Sequence, residues 1–115
     1  MIDNVAAGQV HAAARSELHA AVKNHGNFNS HHEAIAVLLE EVEEVQDEAA
    51  ALKETAEMLM PELWQAVKTD DITTLHNRQL EAIRKAALLV VYECVQVAAM
   101  CDKWGLLIEQ GAAET

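Results

Sequence analysis

Apolar positions along the chain recur at spacings of three and four, the period of helices that bury one face. In 3–23 the repeat is weak. Val10, Ala14, Leu18 and Ala21 or Val22 form a narrow, Ala-rich stripe that predicts a first helix packing closely on a neighbour. The run His25-Gly26-Asn27-Phe28-Asn29 breaks the pattern with residues suited to left-handed backbone, so a loop is expected there.

Ser30 followed by Glu33 is a capping box, which places the start of a second helix at 30. Ile35, Leu38, Val42, Val45, Ala49, Leu52, Ala56 and Leu59 then alternate three and four apart, a continuous seam for a partner helix. The second helix is expected over 30–68, with a kink or restart at Pro61. The polar run Thr69-Asp70-Asp71 reads as a turn, with Asp71 as the cap of a third helix over 72–104 that Gly105 stops. Within it, 86–101 is apolar on every side except at Glu93, Gln96 and the Tyr92 hydroxyl. A helix apolar all round must be surrounded. Two neighbours from 115 residues do not cover it, so a homo-oligomer, dimer or tetramer, is expected.

Composition agrees with the periodicity. One proline, four glycines and 3% aromatics favour helix over strand. The expected fold is all-α: a single domain over 1–115, with two long antiparallel helices and an N-terminal helix, completed by oligomerisation. Cys94 and Cys101 stand seven apart in the apolar stretch, too far to join each other, and are expected as buried thiols. The N-terminus lacks the pattern of a signal peptide and no apolar run reaches the length of a membrane span, so a cytoplasmic protein with no membrane partner is expected.

Charge narrows the function. The net charge is −11, and 33–71 holds 12 of the 19 acids against Lys53 and Lys68 alone. That sign disfavours direct contact with nucleic acid and favours divalent cations or ligands that carry them. Glu41, Glu44 and Glu48 share a stripe beside the apolar seam, where their carboxylates can converge, while Glu40, Glu43 and Asp47 turn progressively toward solvent. A solvated acidic face is the plain alternative.

Glu93 changes the weighing, because a carboxylate in an apolar bundle must be paired, protonated or bound to metal. Gln96 shares its face. Together they either fix helix register or join Glu41 and Glu44 around a cation, as in carboxylate-bearing bundles. Other polar residues carry blander readings. His31 and His32 fit a helix cap or the surface, and Trp64 and Trp104 fit a core edge or an oligomer interface. Arg78, Arg84 and Lys85 are expected to pair with acids of the second helix.

These residues resemble the all-α nucleoside triphosphate pyrophosphohydrolases of the MazG and dimeric dUTPase type, whose signature is E-E-x-x-E followed by E-x-x-D. Glu40-Glu41-Val42-Glu43-Glu44 matches the first half, and Glu93-Cys94-Val95-Gln96 matches the second at its glutamate. The wider phrases VLLEEVEEVQDE and YECVQVAAM look most like short phage-encoded members. The resemblance spans about 31–104. It departs from the pattern at Gln96, and in a longer separation that makes 49–75 an insertion or extension.

What the resemblance implies is Mg²⁺, or Mn²⁺, held by Glu41, Glu44 and Glu93, with Glu40 orienting water beside Glu41. A nucleoside triphosphate would be cleaved to a monophosphate and pyrophosphate. Gln96 would offer a carbonyl oxygen to the metal or hold a metal-bound water. The competing reading is a non-catalytic helical structural or interaction protein, in which Glu93 and Gln96 serve only helix register.

Overall fold

The computed structural model describes residues 1–72 and 77–114, with side chains as far as 111. The described chain is three helices, α1 (Asn4–His25), α2 (His31–Thr69) and α3 (Asn77–Glu114), with no strand among the described residues. The expected all-α helical bundle is therefore what forms.

Local chemistry explains the helix ends. The Asp3 side chain accepts from the Ala6 amide at 2.8 Å, capping α1. At its other end Gly26 turns left-handed (φ 72°) and donates its amide to the Val22 carbonyl. Ser30 caps α2 by accepting from the Glu33 amide at 3.0 Å. The second half of the capping box is replaced, because the Glu33 carboxylate instead accepts from the Asn29 side chain at 3.2 Å.

Expected helix boundaries change at two places. α2 runs through Pro61 to Thr69 as one helix, so of the kink or restart expected at the proline the restart does not occur. α3 does not stop at Gly105 but continues to Glu114. Gly105 has no positive φ, and the helix beyond it lets Leu107 line a groove together with the 25–31 loop. The expected start of α3 at 72 lies beside 73–76, which fall outside the described residues; Asn77 is the first residue beyond them that is helical.

α2 and α3 pair antiparallel. Trp104 Nε1 donates to His31 Nδ1 at 2.9 Å at one end of the pair, and Gln79 Nε2 donates to Glu62 Oε2 toward the other. Thus His31 has a specific partner, while Trp64 is exposed. α1 packs on α3 and not on α2, so α1 and α2 flank a groove floored by α3.

The core is thin. Ala34 and Ala99 are fully enclosed, with Ala14, Phe28 and Leu59 nearly so, and among the described residues no large side chain is completely buried. The shape is elongated, 67 × 29 × 23 Å, with a radius of gyration of 19.3 Å, against about 13 Å for a compact domain of this length. The accessible surface is 8626 Å², where a compact monomer of this mass would have about 6,200 Å².

Part of the excess is apolar. On α3, Val91 is 43% exposed and Ile108 52%, with Cys94, Ala98 and Cys101 exposed between them. The cysteines are therefore not the buried thiols expected; both are exposed on α3, Cys94 at the edge of a groove that α3 shares with Val10, His11 and Ala14 of α1. No described helix is long and apolar enough to cross a membrane.

Candidate metal centre

The helical period sets Glu41, Glu44 and Glu48 on one stripe of α2, and Glu93 and Gln96 one turn apart on α3. Antiparallel pairing brings the two stripes together. One carboxylate oxygen from each of Glu41, Glu44 and Glu93 lies within 4.8 Å of the others. Glu41 and Glu93 are half-buried and Glu44 is exposed, so Glu93 is less enclosed than its apolar sequence surroundings suggested.

The charges are crowded, and among the described residues no basic side chain relieves them. The Glu41 carboxyl is pushed above its ordinary value by burial, by the charges of Glu44 and Glu93, by a hydrogen bond with Glu44 and by the charge of Glu40. Glu93 is also raised, by burial first, then by a hydrogen bond with Glu44 and the charges of Glu44 and Glu48. Partial burial and crowded like charges both disfavour the ionised forms, so these carboxyls hold their protons to higher pH than isolated glutamates do. Arg78, Arg84 and Lys85, expected to pair with α2 acids, are exposed and form no ion pair among the described residues; Lys53 and Glu57 do.

Gln96 has one amide orientation that satisfies its surroundings. In it the nitrogen donates to Glu41 Oε2 at 2.9 Å and to Glu93 Oε2 at 3.2 Å. The amide thus ties α2 to α3 with its partly positive end among the carboxylates. To serve as a carbonyl ligand it would have to turn over.

The remaining expected site residue, Glu40, is exposed and contributes only its charge to Glu41, its oxygens lying outside the converging set. Glu48, half-buried one turn beyond Glu44, reaches Glu93 through its charge and belongs to the rim of the site. Lys103 was missed by sequence reading, although it continues the α3 face of Gln96 and Met100 at helical spacing.

The donor set fits a hard divalent cation. Carboxylate oxygens suit Mg²⁺ and Mn²⁺, and oxygens on opposite sides of a cation bound at about 2.1 Å stand about 4.2 Å apart, within reach of the observed spacing. Comparison with protein-family models, curated proteins and solved structures finds no match.

Proposed function

We propose that this chain is a divalent-cation-dependent nucleoside triphosphate pyrophosphohydrolase of MazG-like type, releasing a nucleoside monophosphate and pyrophosphate. The observation that carries the reading is the convergence of Glu41, Glu44 and Glu93 from two antiparallel helices. Mg²⁺ or Mn²⁺, when bound, neutralises phosphate charge and lowers the pKa of a coordinated water. Glu41, Glu44 and Glu93 hold the cation, Glu48 adds negative potential at the rim, and Gln96 holds the facing helices in register. Glu40 keeps the water-orienting role that the resemblance gives it, next to Glu41 in the chain. Water attacks the α-phosphorus, the bond from that phosphorus to the bridging oxygen breaks, pyrophosphate leaves and a carboxylate takes the water's proton.

The test is a panel of nucleoside triphosphates with Mg²⁺, scored separately for pyrophosphate and orthophosphate. Pyrophosphate in step with monophosphate is the expected result. Failure to release pyrophosphate from any member would sink the reading. It would leave the rival, a non-catalytic helical assembly protein, which the Gln96 bridge between Glu41 and Glu93 favours as a register device.

The same reading includes a homo-oligomer. Val91, Cys94, Ala98, Cys101, Gly105 and Ile108 follow one another at spacings of three and four along α3, a seam that α1 and α2 leave largely uncovered. Its small residues permit close approach by the same helix of a second copy, and the excess accessible surface is of the kind such pairing removes. Light scattering at micromolar concentration should give at least twice the 12.6 kDa chain mass. A monomer would remove this element.

A further inference from the structure

The groove between α1 and α2 has a volume of about 390 Å³ and begins at the metal centre, since Glu41 and Gln96 line it together with Val37, Met100, Phe28 and Lys103. Lys103 is only 5% exposed, the one charged side chain that is buried among the described residues. Its ammonium lies 4.3 Å from the centre of the Phe28 ring. It forms no ion pair or hydrogen bond among the described residues, although Glu17 and Glu33 line the same groove.

A buried cation without an anion is unfavourable, and a single aromatic face offsets only part of the lost hydration. The ammonium is not sealed in, because no buried side-chain nitrogen or oxygen is left without a partner among the described residues. What remains accessible of Lys103 therefore includes Nζ, and its lining position puts that atom on the groove. Apart from His25, every other ionisable group lining the groove is acidic.

We infer that this groove binds a phosphorylated ligand, with Lys103 receiving one of its phosphoryl groups. The inference deepens the pyrophosphohydrolase reading and rests on it only for the end of the ligand that meets the carboxylates. An ammonium on a nearly enclosed side chain gains more from an oxyanion than a fully solvated one does, because less hydration has to be stripped from it and solvent screens the pair less. The acids along the groove repel the rest of a polyanion. Binding is therefore strong only when a divalent cation at Glu41, Glu44 and Glu93 cancels that repulsion, and the cation and the phosphorylated ligand reinforce each other. Lys103 lies seven residues beyond Gln96 on α3, about 10 Å along the axis, so a ligand reaching both the carboxylates and the ammonium must span roughly that length of the groove.

Inorganic pyrophosphate is the probe. It is titrated calorimetrically into the parent, Lys103→Met and Lys103→Arg, at fixed free Mg²⁺ and again in EDTA, with thermal melts to verify folding. Lys103→Gln replaces the methionine variant if that one melts below the assay temperature. In Mg²⁺ the neutral variant should bind about ten- to a hundredfold more weakly, the loss of one hydrogen bond between charged groups, and arginine should stay within a few-fold of the parent. Equal affinities for the parent and the neutral variant, or no binding by the parent in either buffer, would overturn the inference. Lysine-dependent binding that is the same in Mg²⁺ and EDTA would uphold Lys103 and count against the cation site. Mn²⁺ affinity retained in Lys103→Met would show that the lysine acts on the phosphate and not through the metal.

Discussion

Glu93→Gln is expected to raise the melting temperature of the metal-free protein and at the same time to abolish its stabilisation by Mn²⁺. The carboxyl of Glu93 is raised by burial, by its hydrogen bond with Glu44 and by the charges of Glu44 and Glu48. A raised folded-state value means that the folded protein holds a proton which the unfolded chain releases. The stability this contributes is complete below the ordinary value of 4.5 and is lost as pH rises through the raised folded value. In EDTA the parent should therefore weaken as pH climbs from that ordinary value toward neutrality. Glutamine keeps the shape and removes the charge, so it relieves the repulsion at neutral pH and flattens this part of the profile.

Relief of two like-charge contacts is worth about 0.5–1 kcal/mol, a rise of about 2–8 °C for a domain of this size. With Mn²⁺ at a hundred times its dissociation constant the parent gains about 2.7 kcal/mol, and the variant should gain little of it. Pyrophosphate release should fall at least about a hundredfold, since residues merely supporting metal ligands already cost ten to a hundredfold. Thermal melts of both proteins from pH 5 to 8, in EDTA and in Mn²⁺, decide the matter. The same Mn²⁺ response in parent and variant would remove Glu93 from the site.

This expectation differs from the one its sequence surroundings suggest. Apolar neighbours on every side make Glu93 look like a fully buried group whose truncation leaves a cavity. In the structure the residue is half-buried and beside other acids, so removing its charge helps. The difference arises because a residue's exposure depends on which faces of α3 are covered, and the sequence period does not say that α1 covers one face and leaves Val91, Cys94 and Cys101 open.

The two stripes themselves were legible. The alternating seam and the Ser30 cap give α2 and most of its inward face, although Ile35 and Ala49 stand exposed at seam positions and Ala34 is enclosed instead; the spacing of Glu41 and Glu44 follows from the helical period alone. Their meeting with Glu93 required only that α3 return antiparallel. Local breaker rules failed where long-range packing overrode them. Pro61 lacks one amide, but the helix around it is held by its packing on α3, and Gly105 is followed by Leu106 and Leu107, which continue the helix. Lys103 was illegible for a related reason: a lysine is assumed to be solvated, and only the arrival of Phe28 from the loop after α1 encloses it.

Gln96→Asp should separate a cation site from a register device more sharply than any other single change. In the metal-free protein the Gln96 amide donates to Glu41 and to Glu93. Aspartate has no donor to replace either bond, and it adds a fourth carboxylate where three already converge. Losing hydrogen bonds to charged groups costs about 1.5–3 kcal/mol each at most, and added repulsion works in the same direction, unless the new carboxyl takes up a proton. In EDTA the variant should therefore melt about 10 °C or more below the parent, a shift of about 4–8 °C accompanying each kcal/mol. A cation reverses the sign of the interaction, because the new carboxylate becomes a ligand and its repulsion with Glu93 and Glu41 is cancelled. Mn²⁺ should thus raise the melting temperature of Gln96→Asp by considerably more than it raises that of the parent, recovering most of the deficit. If the variant stays destabilised by the same amount with and without Mn²⁺, the added carboxylate meets no cation, which counts against a site at Glu41, Glu44 and Glu93.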